Sequence, residues 1–174
     1  MERVIQVLNR MLADRVIENY AIGGGIAAIY YLEPYQTDDI DVFIPAVTVS
    51  VGEVGLISLE PIYSYLKELG FTPLKEGVVI EDWLVQFIPT FEPMQDEAIS
   101  KSRRIKFGDT ETNIFTAEHL AAELLRSGRR KDHLRVIALL ESNHVNVQQL
   151  RSIINRYNLT EKWKKFARQF DLEE

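Results

Sequence analysis

The chain has 174 residues, room for one domain or one domain with a small appendage, and a composition (46% hydrophobic, 26% charged) ordinary for a globular protein. It has no cysteine, which excludes disulfides and thiolate metal sites, and no apolar run long enough to span a bilayer. The net charge of −6 hides a division: residues 1–100 carry 5 Lys/Arg against 16 Asp/Glu, whereas residues 101–168 carry 15 against 7. An acidic half followed by a basic half suits a polyanionic substrate lying between them, although solvated basic helix faces would read the same way.

Val4, Ile5, Leu8, Met11, Leu12, Val16 and Ile17 recur at three- and four-residue spacing and predict an amphipathic helix over 2–19, unlike a signal peptide. A soluble, cytoplasmic protein is expected. Residues 20–22 predict a short strand, Gly23-Gly24-Gly25 a turn, and residues 26–32 a helix stopped by Pro34. A polar loop then leads to a strand over 40–44, closed by Pro45. Residues 46–57 predict a loop, followed by a helix from about Leu59–Pro61 to Gly70 with Ile62, Tyr65, Leu66 and Leu69 on its apolar face.

Strands are expected over 77–80 and 83–88, the second central, with Glu81-Asp82 at the turn. A helix over 93–101 and a hairpin of 103–107 with 112–115 around Gly108-Asp109 complete the mixed part. From Thr116, a plausible N-cap, the pattern is helical only. One helix ends at Gly128, and a second covers about 131–142 with Leu134, Ile137, Ala138 and Leu140 inward. Two more cover 147–157 and 160–170. The expected class is α+β: a mixed central sheet flanked by helices in residues 1–115, followed by a C-terminal helical bundle in 116–174, packed on that core.

Chemistry concentrates between Gly23 and Asp41. Asp39 and Asp41 lie two apart on a strand, so their side chains share a face, as a hard cation such as Mg²⁺ requires of paired carboxylates. The glycines open a helix whose free N–H groups attract phosphate. Either feature alone also fits a bland reading, a half-exposed strand or a tight turn. Within one strand–helix–strand unit they point to phosphoryl or nucleotidyl transfer.

Ile22-Gly23-Gly24 followed by Asp39-Ile40-Asp41-Val42 resembles the signature of the polymerase-β-like nucleotidyltransferase superfamily. Gly24-Gly25-Ile26-Ala27, Thr37-Asp38-Asp39-Ile40-Asp41 and Arg129-Arg130-Lys131-Asp132 are similar to small prokaryotic members of the AbiEii toxin type. The resemblance implies a nucleotidyltransferase-like fold. It also implies transfer of a nucleoside monophosphate from an NTP to a hydroxyl of a tRNA, a protein or a small molecule. Asp39 and Asp41 would hold two Mg²⁺ ions, with Mn²⁺ as a substitute. Gly23 and Gly24 would let the backbone approach the phosphates, and Arg129, Arg130 and Lys131 would offset charge on the pyrophosphate.

A third carboxylate, usual on a later strand, is replaced by Gln86, which could orient a water or acceptor but cannot act as a carboxylate base. The alternative is therefore a catalytically impaired nucleotide-binding or toxin–antitoxin interaction module, partnered by an antitoxin or by its own copies. His119, His133 and His144 lack zinc spacing and read as surface or interhelical, and Trp83 and Trp163 read as core. Lys101, Arg103, Arg104 and Lys106 form either an RNA-binding patch or an exposed strand face.

Overall fold

A computed structural model describes residues 1–32, 36–46, 50–51 and 57–172. The expected stop at Pro34 and most of the expected loop over 46–57 lie outside the described residues. The chain forms a seven-stranded mixed sheet in the order β5-β6-β7-β2-β1-β9-β8, plus a two-stranded hairpin, β3 (Ser50–Val51) with β4 (Ile57–Ser58).

At the middle of the large sheet stands β2 (Asp39–Pro45). It runs parallel to β7 (Trp83–Thr90) and antiparallel to β1 (Ala21–Ile22), which is itself parallel to β9 (Thr110–Ile114). The flanking pairs are antiparallel: β5 (Thr72–Leu74) with β6 (Gly77–Ile80), β6 with β7, and β8 (Arg103–Phe107) with β9. Ile40, Val42 and Ile44 of β2 are fully buried on the face packed into the core, while Asp39 and Asp41 on the other face are only half-buried.

Helix α1 (Glu2–Ala13) buries Val4, Ile5, Val7, Leu8 and Met11. It ends sooner than its periodicity predicts: Arg15 takes the left-handed conformation at φ 57°, turning the chain so that Ile17 still reaches the core. Helix α2 (Gly24–Tyr31) joins β1 to β2, α3 (Glu60–Glu68) precedes β5, and α4 (Pro93–Ser100) follows β7. The C-terminal helices are α5 (Ala117–Ser127), α6 (Arg130–Glu141), α7 (Val147–Arg156) and α8 (Thr160–Gln169). Thr116 caps α5 by accepting the His119 N–H, and Gly128 closes it at φ 68°. One hydrophobic cluster runs through sheet and helices together, from Val4 to Phe166 and including Trp163.

The hairpin strands β3 and β4 begin within the stretch expected as a loop over 46–57. Two further expectations change. Strand β5 was not foreseen, since Pro73 at its centre argues against a strand; it is tolerated because β5 is an edge strand. On α6 the inward residues are Asp132, Val136 and Leu139, spaced along one face, while Leu134 is 54% exposed. Ile137, Ala138 and Leu140 are partly buried against the core as expected, and the buried Asp132 carboxylate is anchored to Ser127 and Arg129.

Candidate active site

The glycine turn and the paired carboxylates interlock. Gly24 has φ +52°, and a Cβ built on it would lie 1.7 Å from Asp41 Oδ2. Only glycine supplies both that dihedral and that space, so the Asp41 carboxylate rests directly on the backbone opening α2. Gly25 is similarly covered: its Cβ would stand 2.5 Å from Thr37 Oγ1. The Thr37 hydroxyl in turn donates to Asp39 Oδ1 at 2.5 Å, fixing the first carboxylate.

The N–H groups here divide into used and free. Gly23 N–H donates to the Asp41 carbonyl at 2.9 Å, extending the β1–β2 ladder by one bond. This N–H is therefore used within the sheet, and what Gly23 leaves at the turn is the close approach of its backbone. The first α2 amide with an acceptor in the chain is that of Ala27, on Gly23 O at 3.1 Å. Among the described residues the amides of Gly24, Gly25 and Ile26 have no protein acceptor, leaving the positive end of α2 to an anion.

Register brings Gln86 into the group. Asp41 pairs with Gln86 across the parallel β2–β7 ladder, and Asp39 with Leu84, so Gln86 shares the face of the two aspartates. Burial raises the Asp41 carboxyl above its ordinary value of 3.8, and the neighbouring Asp39 charge adds to the effect; Arg129, Lys131 and Arg135 act in the opposite direction. Of the cations expected from sequence, Arg129 and Lys131 are thus felt at Asp41. Arg130 is exposed and is not among those acting most strongly there, while Arg135, not singled out from sequence, is.

Beside the aspartates opens a cleft of about 280 Å³, lined on the sheet side by Gly24, Asp41, Phe43, Gln86 and Ile88. Its helical wall is mixed: Gln95 of α4, then Leu120, Glu123, Leu124, Arg126 and Ser127 of α5, and Arg129. Arg126 donates twice to Glu123, at 2.8 and 2.7 Å, and once to Glu92 at 3.0 Å; the Gln95 amide reaches Glu123 at 3.2 Å. The sequence left Glu123 and Arg126 unremarked. Their only local signal is an oppositely charged pair at three-residue spacing on α5.

The donor set fits a hard divalent cation. Two carboxylates share one face, Asp41 receives no hydrogen bond from any described residue, and Gln86 adds a neutral oxygen. Mg²⁺ commonly takes one or two protein carboxylates and completes its shell with water and substrate phosphates. Among the described residues no group of three or more His, Cys, Asp or Glu side chains is placed to hold a metal.

The remaining expectations resolve simply. His119 is buried and interhelical, its Nδ1 2.8 Å from Thr116 Oγ1 and its Nε2 3.3 Å from Glu97 Oε1. Trp163 is core and Trp83 partly buried. Arg103, Arg104 and Lys106 are exposed on β8, where Arg104 pairs with Glu111 at 3.1 Å.

No protein-family model matches the chain, and comparison with curated proteins finds no match. Solved structures do resemble it. An antigenic nucleotidyltransferase-like protein from Paracoccidioides brasiliensis superposes with a TM-score of 0.59 at 17% identity, over 99% of this chain and 92% of its own. The antibiotic-resistance factor ANT(2'')-Ia, in complex with adenylyl-2''-tobramycin, superposes with a TM-score of 0.51 at 16% identity, over 90% and 98%. Its solution structure covers 98% of this chain with a TM-score of 0.50. The fold is that of the nucleotidyltransferase-like proteins. Among the described residues no helix is long and apolar enough to cross a membrane.

Proposed function

We propose that this chain is a Mg²⁺-dependent nucleotidyltransferase that moves a nucleoside monophosphate from an NTP to a hydroxyl acceptor. The observation that carries the reading is the contact of Asp41 with Gly24. It sets a carboxylate pair against the free amides of a helix N-terminus, which is where a metal-bound phosphate chain has both partners. The likeness of fold to nucleotidyltransferase-like structures supports it.

Asp39 and Asp41 would hold the divalent cation, as one ion or two, Mg²⁺ or Mn²⁺. That cation supplies charge neutralisation at the phosphates and a lowered pKa for the attacking hydroxyl. The chain does the rest. Thr37 fixes the orientation of Asp39, and Gly24 and Gly25 let the triphosphate approach the backbone. Arg129, Lys131 and Arg135 offset the charge that grows on pyrophosphate as its bond to the α-phosphorus breaks and the acceptor oxygen bonds in its place. Gln86, an amide, takes no proton, so the acceptor proton leaves to a carboxylate of the pair or to water. The cleft bounded by Gln95, Glu123 and Arg126 receives the acceptor, whether a small molecule, a protein or a tRNA end.

The test is release of pyrophosphate from each NTP with Mg²⁺ over a panel of acceptors. Asp39→Ala and Asp41→Ala should abolish it, and full retention in both would overturn the reading. Tight binding of Mg²⁺ and NTP without turnover on any acceptor would favour a module whose transfer activity is lost at Gln86. Membership of the AbiEii toxin type is a narrower proposal. It requires growth arrest on expression, relieved by an antitoxin encoded nearby and absent from the Asp variants.

A further inference from the structure

Among the described residues Asp132 is the most deeply buried acidic or basic side chain, at 0% exposure. Its Oδ2 accepts from Arg129 Nε and from Ser127 Oγ, both at 2.6 Å. Its Oδ1 is buried with no hydrogen-bond partner, and Arg135 stands 3.6 Å from it. A buried carboxylate left half satisfied costs stability, and an apolar residue of similar size would commonly be tolerated better. The arrangement is therefore not accounted for by stability. Arg129, which it holds, lines the cleft together with Asp41.

The two arginines differ in exposure, 63% for the Arg129 side chain and 14% for Arg135. Arg129 is free to meet a ligand with the guanidinium N–H groups that Asp132 does not use. Asp132 grips it at Nε, which fixes the plane of the fork. We infer that Asp132 is a positioning residue: it holds Arg129 as a preset anion clamp beside Asp41, aimed at the phosphate chain of the nucleotide. This rests on the proposed reading of Asp39, Asp41 and the α2 N-terminus as a nucleotide-phosphate site.

The test uses the intact chain and measures binding, so that it does not depend on finding the acceptor. Calorimetric titration with inorganic tripolyphosphate and with ATP, each with Mg²⁺, is run on wild type and on Asp132→Asn, Arg129→Met and the double variant, with melting temperatures alongside. Asp132→Asn should weaken both ligands about tenfold, the order seen when an outer partner that orients a binding side chain is lost. In the Arg129→Met background the same change should cost less than about twofold, because coupled residues do not add. An undiminished cost there, or unchanged affinity in folded Asp132→Asn, overturns the inference alone. Wild-type protein binding neither ligand overturns the functional reading and this inference with it. If Asp132→Asn does not fold, Arg129→Lys decides. An oriented fork predicts a loss close to that of Arg129→Met, and affinity kept by the lysine overturns the clamp.

Discussion

Asp41 and Gln86 stand opposite one another on the parallel strands β2 and β7, on the face that also carries Asp39. The position at which a third carboxylate would complete the site is therefore filled, and filled by an amide. Gln86→Glu adds that charge with one isosteric change. It should tighten Mg²⁺ binding by about tenfold, since affinity in such sites follows the number of charged ligands. Without metal it should lower the melting temperature, because a third carboxylate joins two that already repel. Calorimetry with Mg²⁺ and thermal melts in chelator check both halves. Unchanged metal affinity would mean that residue 86 does not face the cation.

Gly24→Ala should be the most disruptive single methyl in the chain. It must adopt φ near +52° and displace the Asp41 carboxylate, whose Oδ2 would be 1.7 Å from the new Cβ. A loss of about 2 kcal/mol is expected for strain and displacement together, with transfer activity lost as well. Chemical denaturation and pyrophosphate release measure the two effects. Asp41→Ala in the same chain removes the clash and not the strain, so it should recover only part of the stability.

Asp41→Asn should separate stability from function. The Asp41 carboxyl is raised, first by burial and then by Asp39, so the folded state holds its proton more tightly than the unfolded chain. Its contribution is fully present below the ordinary value of 3.8 and is lost as pH rises through the folded value. At neutral pH and without metal, Asp41→Asn should thus be more stable than wild type while inactive. Equal or lower stability in urea titrations at pH 7 would contradict this.

A second pH dependence comes from His119 and Glu97, the junction of α4, α5 and α7. Burial lowers His119 below its ordinary 6.5, with Glu97 pulling against it. Protons therefore bind the unfolded chain first, and stability falls as pH drops from about 6.5 through the folded value. Burial alone would raise Glu97, but hydrogen bonds from Tyr157, Arg156 and His119 outweigh it and leave the group below its ordinary 4.5. Its stabilisation is lost in turn as pH falls below that value. Denaturation midpoints across pH 7.5 to 3.5 should decline in both windows, and His119→Gln should abolish the upper decline while Tyr157 and Arg156 keep the lower one.

What the sequence made legible follows from distance along the chain. Gly24 and Asp41 are 17 positions apart within one strand–helix–strand unit, and residue type alone declared both. Gln86 could be placed by matching β7 to a known strand pattern, although its pairing with Asp41 is a long-range ladder. Glu123 and Arg126 stayed hidden because no local rule says that α5 forms the far wall of the cleft. Arg135 was hidden for a related reason. Its place depends on which way α6 is rotated: Ile137, Ala138 and Leu140 do pack against the core, but Leu134 is exposed. The buried Asp132 is polar by type and core by position, and hydrophobic periodicity gives such a residue the wrong sign.

Strand β1 is only two residues long, and its ladder covers Val42 and Phe43 but stops at the Gly23–Asp41 bond. The leading edge of β2, where both aspartates stand, thus has a strand on one side and a helix end on the other. This gap works as a doorway: had β1 run two residues further, backbone would fill the space that the first amides of α2 now face. The length of a strand, and not only the identity of its residues, sets whether this sheet has a site at all. An insertion that prolonged β1 would close the site while leaving every functional side chain in the sequence.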